Sequence, residues 1–219
     1  MGHEPTLGAD TTDELTLVRT SGAGKLYYTG DDLVQVFQLQ GTWYEMGQQY
    51  AAFAQDGMQQ VWDVTVQPYI DKKQVKESDA LSMFGRRVFE TSSTRMKQLC
   101  RGVADTLGWS TDKVALLSQS SMLGIYQSKI HSFAGCSSIL AWGEATTSGG
   151  MITARNMDWG EAFLKFPVYL TVLNPTDGSN SIANLGWPGW LWIMTAVNDK
   201  GVYVDLHDGT SMGGSVVFI

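Results

Sequence analysis

Between positions 33 and 40 the chain reads Leu-Val-Gln-Val-Phe-Gln-Leu-Gln, an apolar–polar alternation with the period of a half-buried strand. Gly41-Thr42 punctuates it. Beyond, Tyr44, Met46, Tyr50, Phe53, Met58, Val61 and Trp62 suit a helix broken near Gly57, with Pro68 ending or bending it. Glu45 reads as a helix-start residue, favoured near the positive end of the helix dipole. Residues 79–107 predict one or two further helices, in which Met96, Leu99, Cys100, Val103 and Leu107 share one face. Ser110 or Thr111 caps another, running through Asp112–Tyr126. Residues 1–30 are polar and rich in Gly, Thr and Asp. They read as a loose lead-in with a short strand at Lys25–Tyr28.

At Cys136 the period changes. Ser137–Gly143 is strand-like, Glu144–Gly150 carries turn signals, and Met151–Trp159 returns as a second strand. Phe166–Asn174, the turn Pro175-Thr176-Asp177-Gly178, and Ser179–Gly186 read as another hairpin. Trp190–Val197 and Val202–His207, joined by the turn Asn198-Asp199-Lys200-Gly201, make a third. Helices come first and an antiparallel meander follows. That is an α+β pattern with helices covering one face of a sheet.

Composition narrows the function classes. With 219 residues the chain builds one sizeable domain, at most with a helical annex. A net charge of −7 argues against a nucleic-acid partner, which would leave a basic footprint. No basic run marks a membrane-surface patch, and no apolar stretch nears the roughly 18 residues of a spanning helix. The N-terminus has no apolar signal core, so location is open; a signal already removed would make the protein secreted or periplasmic. Two cysteines, Cys100 and Cys136, make neither a disulfide framework nor a zinc site, and no metal or organic cofactor is implied. Cys100 reads as a small core residue of its helix.

Cys136 is different. It stands at the mouth of a strand, directly behind Gly135. A cysteine attacks as thiolate and needs a base. Of the three histidines, His3 is in the lead-in, His131 is only five residues upstream, and none has the context of a cysteine–histidine motif. Another base exists if the Gly135–Cys136 bond is cut. The new α-amine, with a reference pKa of about 7.7–8, is partly neutral near pH 7 and can take the thiol proton. Gly135 tolerates unusual backbone angles and leaves its carbonyl open to the sulfur. Ser132-Phe133-Ala134 reads as a linker into the sheet. A hairpin folded near Thr147–Gly150 returns Arg155 and Asp158 beside Cys136. Asp158 would hold the α-ammonium or orient the amine, and Arg155 would favour the thiolate by Coulomb attraction. A structural ion pair between Arg155 and Asp158 is the plainer alternative. Trp187, Trp190 and Trp192 suit either core or an acyl pocket.

The block "GCSSILAWGEATTSGGMITARNMDW" closely resembles the Gly-Cys-Thr/Ser-Ser…Arg-Asn-x-Asp-Trp segment of cysteine N-terminal nucleophile (Ntn) hydrolases. The resemblance is nearest to the isopenicillin-N acyltransferase-like family, with penicillin V acylase, choloylglycine hydrolase and acid ceramidase more distant. Two further blocks are similar in the same order: Leu39–Met58, like a segment early in the family's proregion, and "PGWLWIMTAVNDKGVYVDLHD". Together they cover most of residues 33–208.

The resemblance implies an αββα Ntn-hydrolase sandwich, made as a precursor and self-cleaved between Gly135 and Cys136. Residues 1–135 would be a helical proregion and 136–219 the start of the catalytic core. It implies an amide hydrolase or acyltransferase acting on linear C–N bonds through a thioester. Cys136 would be nucleophile and, through its amine, base; Arg155 and Asp158 would support it. The position after Leu206 contributes to the oxyanion hole and is often Asn in relatives; here it is His207. Relatives continue well past Ile219 and supply a further oxyanion asparagine, so a missing C-terminal part is implied. The expected partners are a small acyl-amide substrate and the other half of a self-cleaved heterodimer, with an exposed sheet edge that invites a homo-oligomer. Rival readings are a lipid-directed, phospholipase B-like hydrolase on the same fold and an unprocessed, non-catalytic binding protein.

Overall fold

The alternation at positions 33–40 becomes an interior strand of the larger of two sheets. The computed structural model describes residues 15–30, 34–120, 123, 135–158 and 161–207. His3, His131, the Ser132–Ala134 linker, the end of the helix expected through Tyr126 and the segment after His207 lie outside them. Among the described residues, the large sheet has seven strands in the order β1-β2-β3-β6-β7-β8-β9. They are β1 (Thr16–Ser21), β2 (Gly24–Tyr28), β3 (Val34–Gly41), β6 (Val168–Pro175), β7 (Ile182–Gly186), β8 (Thr195–Asn198) and β9 (Tyr203–Asp205). All neighbours pair antiparallel except β3 and β6, which run parallel from Val34↔Val168 to Gly41↔Pro175. A second sheet is the hairpin β4 (Gly135–Gly143) and β5 (Gly149–Asp158).

Among the described residues, six helices lie between β3 and β4: α1 (Trp43–Thr65), α2 (Gln67–Asp71), α3 (Glu77–Ala80), α4 (Arg86–Thr91), α5 (Thr94–Leu107) and α6 (Thr111–Ser118). A wider helical turn, Leu81–Gly85, joins α3 to α4. The start of α1 is a capping box: the Thr42 hydroxyl accepts from the Glu45 amide, and the Glu45 carboxylate accepts from the Thr42 amide at 2.8 Å. Ser93 caps α5 and Ser110 caps α6. The fold is thus mixed α+β, a helical region followed by a mostly antiparallel sheet.

Side chains alternate across a strand, so the register assigns the faces. Phe37 meets Tyr50 and Phe53 of α1, each with ring centroids 5.5 Å apart, and Tyr169 of β6 at 4.5 Å. Phe37, Leu39, Leu26, Tyr169 and Leu173 therefore cover the helix side, with Met46, Met58, Val61, Leu99 and Val103 buried against them. Thr195, Tyr203 and Asp205 point to the opposite face, where the β4–β5 hairpin lies. The layers are helices, large sheet, hairpin.

Four expectations need correction. The lead-in holds a full hairpin, β1–β2, and its outer strand is almost wholly exposed, so it carries no apolar alternation. The helix at 43–65 is unbroken at Gly57. That glycine is there for close approach: a Cβ would stand 2.4 Å from the Tyr169 hydroxyl and 2.9 Å from Pro188. Trp190–Val197 is irregular until Thr195, where β8 begins. The meander is not continuous either, since β4–β5 forms its own sheet and β6 joins β3 instead. Cys136 accordingly sits in the two-stranded sheet.

Candidate functional site

The β4–β5 hairpin turns between two glycines in left-handed conformation, Gly143 (φ 59°) and Gly149 (φ 71°). The Thr146 hydroxyl ties the turn by donating to the Gly150 carbonyl at 2.8 Å. From there the register runs back to the strand mouth: Ser138↔Arg155, Cys136↔Met157 and Gly135↔Asp158. Cys136 and Ser138, two residues apart, face the same way, and Arg155 stands across from Ser138 on that face.

Arg155 is the hub. Its Nη2 donates to the Cys136 Sγ at 3.2 Å and to the Leu206 carbonyl. Its Nη1 donates to the Met194 carbonyl at 3.0 Å and the Thr195 hydroxyl at 2.5 Å. One guanidinium thus ties the cysteine of the small sheet to β8 and the end of β9 in the large one. Cys136 is half-buried and not disulfide-bonded. Cys100, by contrast, is fully buried, and burial pushes its thiol up to about 12. It is a core residue, not a nucleophile.

Ser138 makes a second tie. Its hydroxyl donates to the Asp205 Oδ2 and lies 2.8 Å from the His207 Nε2. The same Nε2 is 3.0 Å from Asp205 Oδ2. The Nε2–H tautomer satisfies all three contacts, with the ring donating to both oxygens. Asp205 is held below the usual carboxylate range, first by the Ser138 hydroxyl, then by the His207 hydrogen bond, with the Arg155 charge adding to it. This trio is not a serine protease-like relay. There the acid orients the histidine through one ring nitrogen and the serine uses the other; here both share Nε2.

The expected residues are therefore placed as follows. Cys136 and Arg155 are in contact. Asp158 lies opposite Gly135 in the backbone register; its side chain is outside the described residues. The His207 ring is engaged with Ser138 and Asp205, so its imidazole is turned to the inter-sheet tie. Ser138 and Asp205 escaped the sequence reading. A signal existed: each lies two residues from a singled-out position, Cys136 and His207, and alternation puts it on the same face.

No family model matches the chain. The chain is 24% identical over 208 residues to Protein dcd1B of Dictyostelium discoideum, a match covering 85% of this chain and 41% of that protein. It spans about two fifths of the length of the curated relative it matches. No helix among the described residues is long and apolar enough to cross a membrane, and none of their His, Cys, Asp and Glu side chains form a metal-binding group.

A cavity of about 300 Å³ lies between β5 and the large sheet. Its walls include Arg155 and Met157 of β5, Leu185 and Tyr203 of the sheet, and Trp187 and Trp190 of the irregular segment. Trp190 is nearly fully buried and stacks edge-on against Trp187, ring centroids 5.0 Å apart. These two tryptophans serve core and cavity wall at once.

Proposed function

We propose that the chain is an autoprocessing cysteine hydrolase or acyltransferase of the Ntn type, acting on linear amide C–N bonds. The observation that carries this reading is the 3.2 Å contact from Arg155 Nη2 to Cys136 Sγ, one residue past Gly135 at the mouth of β4. The guanidinium holds the sulfur in place at the strand mouth, one residue from the bond to be cut.

In processing, the Cys136 sulfur attacks the Gly135 carbonyl carbon. The C–N bond between the two residues breaks, the nitrogen takes the thiol proton, and a thioester joins Gly135 to the sulfur. Water then hydrolyses it, leaving a Gly135 carboxylate and a free N-terminal Cys136. In turnover, the new α-amine takes the thiol proton and the sulfur attacks a substrate amide carbonyl. The amine leaves with that proton, and water or an acceptor amine resolves the acyl-enzyme. Asp158, in register with Gly135, belongs to the strand end nearest the new amine. The eight-residue parallel pairing of β3 with β6 supports two cleaved pieces remaining one body, because it joins residues on both sides of the cut.

Intact-mass analysis of the purified chain tests this. The expected result is a 135-residue piece and its remainder for the wild type, and an uncut chain for Cys136→Ala. Cleavage of Cys136→Ala at the same bond would assign the cut to an outside protease. A wild-type chain that stays whole would favour the non-catalytic binding protein.

A further inference from the structure

The large sheet is partly uncovered on its helix side. Ala196 and Val204 are partners in the β8–β9 register and point there, as does Ile182 of β7. Between them and the start of α5 lies a groove of about 530 Å³, within the roughly 300–1,000 Å³ of small-molecule sites. It is separate from the cavity beside Cys136, because β8 stands between them. Thr195 of β8 faces Arg155, and its neighbour Ala196 faces the groove.

The floor is apolar: Ile182, Ala196 and Val204 from the sheet, Trp43 from α1 and Met96 from α5. Val202 and Val204 on the rim are 56% and 50% exposed, so a ligand that covers them removes apolar surface from water. Among the described residues, Arg95 of α5 is the only charged residue in the walls. Asp177 holds it from behind. One Asp177 oxygen accepts from Arg95 Nε at 2.9 Å and from Trp43 Nε1 at 3.0 Å. The other accepts from the Ser179 amide at 2.9 Å and from the Ser179 hydroxyl. A carboxylate has about four acceptor sites, and these bonds fill them. Arg95 spends only its Nε on Asp177. Its Nη1 and Nη2, the fork that fits a carboxylate, make no hydrogen bond to the described residues. The same Asp177 fixes the indole of Trp43, so cation and apolar wall are set together.

One fixed cation over an apolar floor selects a singly charged anion with an apolar body. The net charge of −7 works against a polyanion. We propose that this groove binds a small apolar carboxylic acid, its carboxylate in the fork of Arg95 and its hydrocarbon on Val204, Ala196 and Trp43. The site is independent of the cysteine-hydrolase reading.

The test uses the full chain with methyl-labelled methionine, followed by NMR. Met96 lines the groove and Met157 lines the cavity beside Cys136, so the two signals tell the sites apart. Octanoate is expected to shift the Met96 methyl signal saturably and to leave Met157 unmoved. Octanol keeps the body without the charge and should bind roughly tenfold more weakly, and octylamine more weakly still. Arg95→Gln should cost octanoate the same factor of roughly ten and leave octanol little changed. The Arg95–Asp177 pair is exposed, so the variant should fold. The octanol comparison changes the ligand and not the protein, so it decides the matter whatever the variant does. The inference is overturned if octanoate leaves Met96 unmoved, if it moves Met157 instead, or if octanol binds as tightly. A Met96 signal that moves with protein concentration before any probe is added would give the groove to a second copy of the chain, and would overturn it too.

Discussion

The two faces of the large sheet are closed in opposite ways. On the helix side, Phe37, Leu39, Met46, Met58 and Leu99 are at or near complete burial, and interlocking rings join β3, α1 and β6. On the hairpin side the closure is polar: one guanidinium and one serine reach across, and a cavity remains. Apolar burial is non-directional and stabilises wherever area is lost to water. Hydrogen bonds fix atoms in place for little net stability. The difference assigns stability to the first face and geometry to the second, which is what a site that must hold a sulfur beside a cation requires.

Breaking the second face should therefore cost chemistry first. Arg155→Lys keeps the charge but loses the planar fork that reaches the Sγ, the Met194 carbonyl and the Thr195 hydroxyl from two nitrogens. One hydrogen bond to a charged group is worth about 1.5–3 kcal/mol, so cleavage at Gly135–Cys136 should slow by roughly ten- to a hundredfold. Time-resolved intact mass measures it. A lysine variant that cleaves at the wild-type rate would show that charge alone suffices and that the inter-sheet tie is idle.

Breaking the first face should cost stability and spare the chemistry. Gly47 of α1 and Gly102 of α5 let these helices touch through their backbones: a Cβ on Gly47 would stand 2.1 Å from the Leu99 carbonyl oxygen. That oxygen belongs to the backbone and cannot rotate away, so Gly47→Ala must push the helices apart. Overpacking of this kind costs about 1–3 kcal/mol. For a chain of this size that lowers the melting temperature by about 2–12 °C. Well below that temperature the cleavage rate should match the wild type. A Gly47→Ala chain that melts normally but cleaves slowly would reverse the assignment of the two faces.

The same contrast explains what the sequence disclosed. The helix side was legible because burial writes itself as period: Met96, Leu99, Cys100 and Val103 on one face, Leu33–Gln40 in alternation, and Thr42 with Glu45 at a helix start. The β4–β5 hairpin was legible from its turn residues, and with it the return of Arg155 to Cys136. Three things were not. The strand Thr16–Ser21 is an exposed edge and so lacks alternation. The parallel pairing of β3 with β6 is a contact between distant segments that neither records alone. Alternation puts Ser138 and Asp205 on the faces of Cys136 and His207, but that the two meet, 67 residues apart, is a contact neither strand records.

The smallest expected effect sharpens the comparison within the polar face itself, where Ser138 and His207 compete for the same Asp205 oxygen. Asp205 titrates below its ordinary range in the folded chain, with the Ser138 hydroxyl the largest cause and His207 the next. A carboxylate whose folded value is depressed stabilises the fold fully above its unfolded value, and that contribution is lost as pH falls through the folded value. The tie should thus hold at neutral and mildly acidic pH and release only below the ordinary aspartate range, near pH 4 and under. Following the Asp205 carboxyl carbon by NMR from pH 7 downward reads this directly. Ser138→Ala should move the Asp205 midpoint upward more than His207→Ala does, because removing the hydroxyl deletes the donor that most favours the charged form. A larger rise in His207→Ala would make the imidazole the principal partner of Asp205, and the hairpin would then be anchored by Arg155 without help from Ser138.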